Sequence, residues 1–456
     1  MNQQRYALHY REPEVRTIAG WIEAGGSGAV VGLAGAGKSN LLKFLCDYPN
    51  ALSQYFVNPD QVIVPVPVDL NNLPAYDIST FYRLILRSFF EACEAFDPKL
   101  QKPIVQFYRD NMKEQDPFLP QSALRELFFL LQAEQIKVVL ILDRFDRFCE
   151  MATPQMFDTL RGFRDTFKQN LSYIIGLRYE VDYLPEPEKL GELHELLDLH
   201  TCWVQPLREV DARQFIQEEV ETASEPPTEA EIETMLELTG GYPALLKATC
   251  YWWRNAAYRP GVDGWAAALR QEQSIHNRLS ELWSDLTQEE QLTLSDLTKE
   301  VSPKKTGQDL ADHHQHALTR LAAKGLCQQH DEVWSINGGL LEDFAASIKE
   351  QALGRIWRDE KDSTFWQGSA QLDLSPQQQA ILRYFMENAR RRLTKTDLIM
   401  HLWPDEWEDV DETRLYTLVR QLRRKLDPKT TQPRYIVNWR GTPEGGYQFF
   451  PEGRVG

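Results

Sequence analysis

The stretch with the most chemistry per residue is Gly32-Leu33-Ala34-Gly35-Ala36-Gly37-Lys38-Ser39. It satisfies the spacing G-x-x-x-x-G-K-[ST], a loop whose backbone N–H groups wrap a polyphosphate. Its glycines let the main chain come close to the phosphates and adopt dihedrals that a side chain would forbid. Lys38 would reach the β- and γ-phosphates, and the Ser39 hydroxyl would hold Mg²⁺. Asp143 ends the apolar run Val138-Val139-Leu140-Ile141-Leu142. A carboxylate at the carboxyl end of a buried strand is placed to orient Mg²⁺ and its waters. Hydrolysis also needs a group that orients the attacking water. The usual position is the next residue, which here is Arg144, so Asp146 is the candidate. Arg178 follows the apolar run Tyr173-Ile174-Ile175-Gly176-Leu177, and a cation there would face the γ-phosphate. The expected ligand is ATP or ADP with Mg²⁺. Gly32, Gly35, Ala36, Gly37, Lys38, Ser39 and Asn40 would surround the phosphates, and Asp143, Asp146 and Arg178 would carry the chemistry.

These groups converge only if particular elements hold them. Residues 29–31 read as a short buried strand, and an amphipathic helix opens near Asn40, with apolar residues three or four apart. A strand, a glycine loop and a helix start together point N–H groups and a positive helix end at an anion. A helix over 15–23 precedes them, and Tyr10 and Arg11 before it would lie near the adenine. Residues 62–70 predict a strand whose Pro65 and Pro67 place it at a sheet edge or at a bulge. Long helices from Ser79 to about Glu134 separate it from the strand at 137–142. Helices between strands imply a parallel sheet covered on both faces. Further on, one helix should end at Gly240 and the next begin at Pro243, making the rigid Gly-Tyr-Pro turn a lid over a base.

In this order the landmarks resemble the STAND class of AAA+-related ATPases, which are signal-transduction switches. The origin-recognition and replication-initiator ATPases share much of the pattern. The matching residues are Tyr10-Arg11-Glu12, the phosphate loop, Asp143, the strand ending in Arg178, and Gly241-Tyr242-Pro243. The resemblance covers roughly the first 350 residues. It implies an ATP/ADP switch in which Pro243 contacts the adenine and Arg178 senses the γ-phosphate. Arg144 stands where many relatives carry a second acid, so slow hydrolysis is expected.

Thr287 and Glu290 have the spacing of a capping box. A helix from there, a second over 316–324 and a hairpin turning at His330-Asp331 predict a winged-helix domain. Its helix offers only Arg320 and Lys324, which favours a structural role. The histidines around His313 and His316 read as a solvated helix start, because no distant pair completes a metal site.

Residues 349–371 are polar and of mixed charge, as in a linker. Three helices then follow: one from Ser375, one over 393–403 stopped by Pro404, and one over 411–426. In the third, Leu415, Leu418, Val419, Leu422 and Leu426 form the apolar stripe. Arg414, Thr417, Arg420, Gln421 and Arg424 form the other side. Such a front can enter a DNA major groove, since Arg suits guanine, Gln suits adenine and Thr can meet a thymine methyl. Residues 434–441 and 445–449 predict a hairpin wing with Arg440 near its tip. The set resembles the OmpR/PhoB-type winged-helix domain over 372–450, through Leu393-Thr394, Leu402-Trp403, Leu422-Arg423-Arg424-Lys425-Leu426, Arg434-Tyr435-Ile436, Arg440-Gly441 and Gly446-Tyr447. Thr442-Pro443-Glu444 lengthens the wing tip.

The expected fold class is therefore multidomain. An α/β P-loop NTPase with a parallel sheet occupies 1–205 and a helical lid subdomain 206–278. The two winged-helix domains lie at 279–348 and 372–452. The chain of 456 residues carries a formal charge of −17, which excludes a whole-surface nucleic-acid binder. Residues 372–456 hold 14 Lys and Arg against 12 Asp and Glu, a local +2 that leaves −19 on the rest. Phosphate attraction is thus confined to the tail. The six cysteines are scattered, without a C-x-x-C pair, as in a reducing cytosol. With no signal peptide and no membrane-length apolar run, the expectation is a cytoplasmic, ATP-switched, DNA-binding transcription regulator. Double-stranded DNA is its partner, no membrane is involved, and self-association on ATP binding is allowed. The alternative is a replication-initiator-like or conflict-system ATPase that uses the tail only to localise on DNA.

Overall fold

The structure is a computed structural model describing residues 7–58, 61–184, 186–223, 225–256, 258–298, 307–330, 333–351, 354–359, 364–368, 370–404, 406–407, 411–427, 433–439, 441 and 444–453. Two compact units are present, residues 1–343 and 344–456.

The first unit is built on five strands: β1 (Gly28–Val31), β2 (Ile63–Asp69), β3 (Lys137–Asp143), β4 (Leu171–Leu177) and β5 (Thr201–Trp203). Their spatial order is β2-β3-β4-β1-β5, and every neighbouring pair is parallel. β2 lies at an edge, as its prolines require. Pro65 and Pro67 are two residues apart, so both missing N–H groups fall on the same side of the strand. Helices Ile78–Glu91, Phe118–Ala133, Phe145–Met151 and Pro154–Thr166, with the residue after the last, supply a largely aromatic layer. Phe81, Phe89, Phe128, Phe148, Phe157 and Phe167 are all fully or almost fully buried. Each contributes about 1.5–3 kcal/mol on burial, enough to anchor the crossovers to the sheet. Asp77 starts the first of these helices by accepting the Thr80 N–H at 2.8 Å.

Downstream, helix Glu229–Thr239 ends at Gly240, whose φ of 58° is left-handed, and helix Pro243–Asn255 begins directly after Tyr242. Helices Gln273–Ser284, Gln288–Leu297 and Gly307–Ala323 lead to the antiparallel strands Cys327–His330 and Val333–Ile336. Thr287 and Glu290 form the expected capping box. Asp331 of the expected turn lies outside the described residues. Lys324 is buried and bonded to buried Glu290, and Arg320 lies 3.3 Å from Glu290 and 3.6 Å from Glu180. The two cations that a groove-binding helix would offer are thus committed internally.

The second unit has helices Pro376–Glu387, Lys395–Leu402 and Glu412–Leu426. They pack with an antiparallel sheet in which Gly446–Phe449 lies between Arg392–Thr394 and Ile436–Trp439. Two expectations need correction. Leu393-Thr394 belong to a strand, and Thr394 caps the helix that begins at Lys395. The stretch 349–371, expected as a linker, carries the strands Ile356–Arg358, Phe365–Gln367 and Ala370–Gln371. Ile356 and Phe365 are buried in the core with Leu382 and Leu426, and Trp357 stacks on Trp366 across the ladder. One Trp–Trp pair across the ladder, with Ile356 and Phe365 buried in a helical core, suffices for strands whatever the polarity between them.

Two buried cations close the helix Glu12–Glu23. Lys137 Nζ donates to Ile22 O at 2.6 Å, and the Arg164 guanidinium donates to Gly25 O. Both add donors to carbonyls of the last helical turn and the turn after it, where Ile22 O also accepts the Gly25 N–H at 3.0 Å. Burial lowers the Lys137 ammonium from its ordinary value, and Arg164 lowers it further. Lys137→Met keeps the bulk and removes the donor to Ile22 O and Glu23 O. It should cost about 1–3 kcal/mol, read as a lower urea midpoint of the full chain.

Candidate functional site

The parallel register brings the expected residues to one edge of the sheet. Val31 pairs with Leu177, and Leu142 with Ile175, so the chain leaves β1, β3 and β4 on the same side at Gly32, Asp143 and Arg178. Helix Lys38–Asp47 follows the loop, and its preceding residue Gly37 has φ 91°. Lys38 Nζ lies 3.1 Å from Asp143 Oδ1, which also accepts the Arg144 N–H at 2.8 Å. Asp143 Oδ2 has no partner among the described residues. Gly176, inside β4, makes room for this carboxylate, since a Cβ there would lie 2.7 Å from Asp143 Oδ1. Ser39 and Asn40 are exposed at the helix start. Ser39 and the free Asp143 oxygen fit a Mg²⁺ that takes its remaining ligands from phosphates and water. No cluster of three His, Cys, Asp or Glu side chains suited to a metal occurs among the described residues.

The loop is braced from behind. Arg11 is 1% exposed, and its guanidinium donates to Ala36 O at 2.6 Å, Gln205 O at 2.8 Å and Glu14 at 2.8 Å. Tyr10 is buried edge-on against Phe44 of the loop's helix. Their side chains support the loop and its helix. The turn at 240–243 presses on the other side. Ala244 N–H donates to Gly35 O at 3.1 Å, and Tyr242 OH donates to Ala34 O at 2.6 Å. Burial pushes the Tyr242 phenol up, so it stays a donor. The Pro243 ring lies beside Gly37, with Cγ 3.5 Å from where a Cβ would be.

Arg178 does not stand free at the end of β4. Its Nε and a terminal nitrogen grip Asp285 at 2.8 and 2.6 Å. This pairing, with burial opposing it, raises the guanidinium above its ordinary value. Asp285 Oδ2 also accepts the Ala34 N–H of the loop at 2.8 Å, and Tyr179 OH donates to Oδ1 at 3.3 Å. Asp146 is half-buried on the short helix Phe145–Met151 and adds negative field at Tyr179. Asp285, Tyr179 and Gly176 were not singled out from sequence, and Tyr242 was named only as part of the lid turn. Gly176 had a signal, a glycine inside an apolar strand. Asp285 had none, because its partners lie more than 100 positions away.

In the second unit, helix Glu412–Leu426 buries Leu415, Leu418, Val419, Leu422 and Leu426. Arg414, Thr417, Arg420, Gln421 and Arg424 are exposed on the other side. Among the described residues Arg420, Gln421 and Arg424 make no side-chain hydrogen bond or ion pair. Arg414 lies over the Trp403 ring and 3.5 Å from Glu406. Arg423 is the structural cation, tying the helix to the wing through Ile436 O at 2.9 Å and Asn438 at 2.7 Å. Arg440 lies outside the described residues.

Gly35 has φ 80°, and a Cβ there would come 2.5 Å from the Ala244 Cβ. Gly35→Ala must therefore push the 243–255 helix off the loop. We expect a loss of about 1–3 kcal/mol, read as a lower midpoint in urea unfolding of the full chain.

Comparison with known proteins agrees with the tail and adds little for the body. No curated protein matches the chain in sequence. Solved structures with a similar trace include the ORC2 protein of Aeropyrum pernix in ADPNP–ADP complexes, at 14% identity and TM-score 0.40 over 75% of this chain and 92% of that one. A Walker-type ATPase of Pyrococcus abyssi matches at 17% and 0.42 over 74% and 95%. The Aeropyrum pernix ORC1 protein in complex with DNA matches at 15% and 0.35 over 74% and 92%. Likeness this distant carries no residue-by-residue correspondence. Residues 369–449 match the family described as "Transcriptional regulatory protein, C terminal", so the second unit contains a domain of the kind that the OmpR/PhoB resemblance implied.

Proposed function

We propose that the chain is an ATP-controlled, DNA-binding transcription regulator in which a Mg²⁺–ATP site in the first unit biases how the tail engages DNA. The observation that carries the nucleotide half is the meeting of Lys38 and Asp143 at 3.1 Å. They lie beside a glycine loop whose helix start is exposed. Backbone N–H groups of the loop hold the phosphates, Lys38 moves from Asp143 to the β- and γ-phosphates, and Ser39 and Asp143 hold Mg²⁺ with its waters. Pro243 bears on the adenine, and the 206–278 region acts as the lid. Asp146 orients the attacking water. Arg144 offers no base at the position after Asp143, so turnover is slow and the site works as a STAND-like switch. The protein acts in the cytoplasm.

The DNA half rests on the match of residues 369–449 to a regulatory-protein domain and on the open face of helix Glu412–Leu426. Arg414, Thr417, Arg420, Gln421 and Arg424 enter the major groove, and Arg440 of the wing contacts the backbone or minor groove. Residues 279–348 form a winged-helix domain with a structural role, because Arg320 and Lys324 are already paired. ATP shifts the balance between two arrangements only if it binds them unequally, and self-association on ATP binding is one means of pairing two tails on a site.

Lys38→Ala should abolish ATP binding measured by calorimetry and leave DNA binding by the nucleotide-free protein intact. Full ATP responsiveness in Lys38→Ala would end the switch reading. In a filter-binding titration against salt, Arg420→Ala should reduce the slope of log K on log salt by about 1 if it neutralises a phosphate. Gln421→Ala should relax sequence preference with little change in slope. Strong DNA-stimulated hydrolysis or ring assembly on DNA would favour an initiator-like ATPase instead.

A further inference from the structure

We infer that Asp285 is a built-in competitor for the γ-phosphate and sets how strongly the site prefers ATP over ADP; this rests on the nucleotide reading of the first unit. Asp285 follows helix Gln273–Ser284 and is only 4% exposed. A buried carboxylate needs partners, and its side chain takes none from its own helix. All come from the phosphate edge of the sheet: the Ala34 N–H, two nitrogens of Arg178 and the Tyr179 hydroxyl. A two-pronged arginine, a loop amide and a hydroxyl form the donor set that suits a phosphate oxyanion. The body delivers its own anion to that set.

The arithmetic of charge makes the two anions rivals. Arg178 is one cation, already faced by Asp285 and, at 4.0 Å, by Glu281. Asp146 is close enough to add negative field at Tyr179. A γ-phosphate brought to Arg178 meets these carboxylates in a half-buried setting, where screening by salt is weak. Either it goes without Arg178, or Asp285 gives up its grip. ADP carries no γ-phosphate and makes no such demand. Asp285 therefore taxes ATP selectively, and releasing it is the event that distinguishes the two nucleotides.

The release has somewhere to go. Asp285 immediately precedes the capping box at Thr287 and Glu290. Glu290 holds Lys324 and Arg320, and Arg320 also reaches Glu180 and Tyr183 just beyond Arg178. Loss of the Asp285 grip loosens one link between the sheet edge and the helices after it, while the links of Arg320 to Glu180, Gln205 to Ala322 and Lys324 to the Trp203 ring remain as a hinge.

The test is calorimetric titration of the full chain with Mg²⁺ and either a non-hydrolysable ATP analogue or ADP. Asp285→Asn keeps the shape and removes the charge. Its affinity for the ATP analogue should rise about tenfold relative to ADP, within the usual range of intramolecular coupling. Glu281→Gln removes the second carboxylate that faces Arg178 without touching the donor set, and should raise the same ratio about threefold. Thermal unfolding confirms that each variant is folded, and if Asp285→Asn is not, Glu281→Gln decides alone. An unchanged or lower ratio overturns the inference. If that happens while wild type binds nucleotide and Lys38→Ala does not, the nucleotide reading stands without it. If neither wild type nor Asp285→Asn binds nucleotide, both fall together.

Discussion

The register of a parallel sheet decides where this molecule can do chemistry. β1, β3 and β4 run the same way and end together, so whatever follows each strand meets at one edge. The glycine loop, Asp143 and Arg178 are separated by more than 100 and then 35 positions in the chain, yet become neighbours by that constraint alone. Everything else near the site either clears space for this meeting or holds it still. Gly176 gives up a side chain so that Asp143 can turn inward, and Arg11 spends a fully buried charge on tying down a loop carbonyl.

Charge is distributed with the same economy. The body is strongly acidic and the tail slightly basic, and within each the cations are divided between holding and offering. Arg11, Lys137, Arg164, Lys324 and Arg423 are engaged with carbonyls or carboxylates inside the fold. Arg420 and Arg424 are exposed and unengaged among the described residues. These two sit on one side of one helix, within the residues that match a regulatory-protein domain.

Sequence made the phosphate loop, its flanking elements, the edge strand with its prolines, the glycine-capped turn before Pro243 and the amphipathic third tail helix legible. All are written in local spacing or in residues with a single conformational use. It did not show Asp285, because a carboxylate at a helix end looks the same whether it faces water or a remote arginine. It also misplaced Leu393-Thr394, where a capping threonine read as helix interior. And it missed the strands at 356–371, because two short apolar pairs within a polar, mixed-charge stretch give no periodicity over a useful window.

Those strands bear on how the tail can be separated from the body. Ile356 and Phe365 fill the same core as Leu382 and Leu426. Tyr435 OH donates to Gly354 O at 2.6 Å, and Gln367 donates to Leu426 O at 2.8 Å. The homology boundary at residue 369 therefore cuts through a working core. A fragment begun there would leave the C-terminal end of helix Glu412–Leu426 without the amide that satisfies it, and open an apolar seam to water. The tail core thus reaches back at least to residue 354, some fifteen positions before the family match begins.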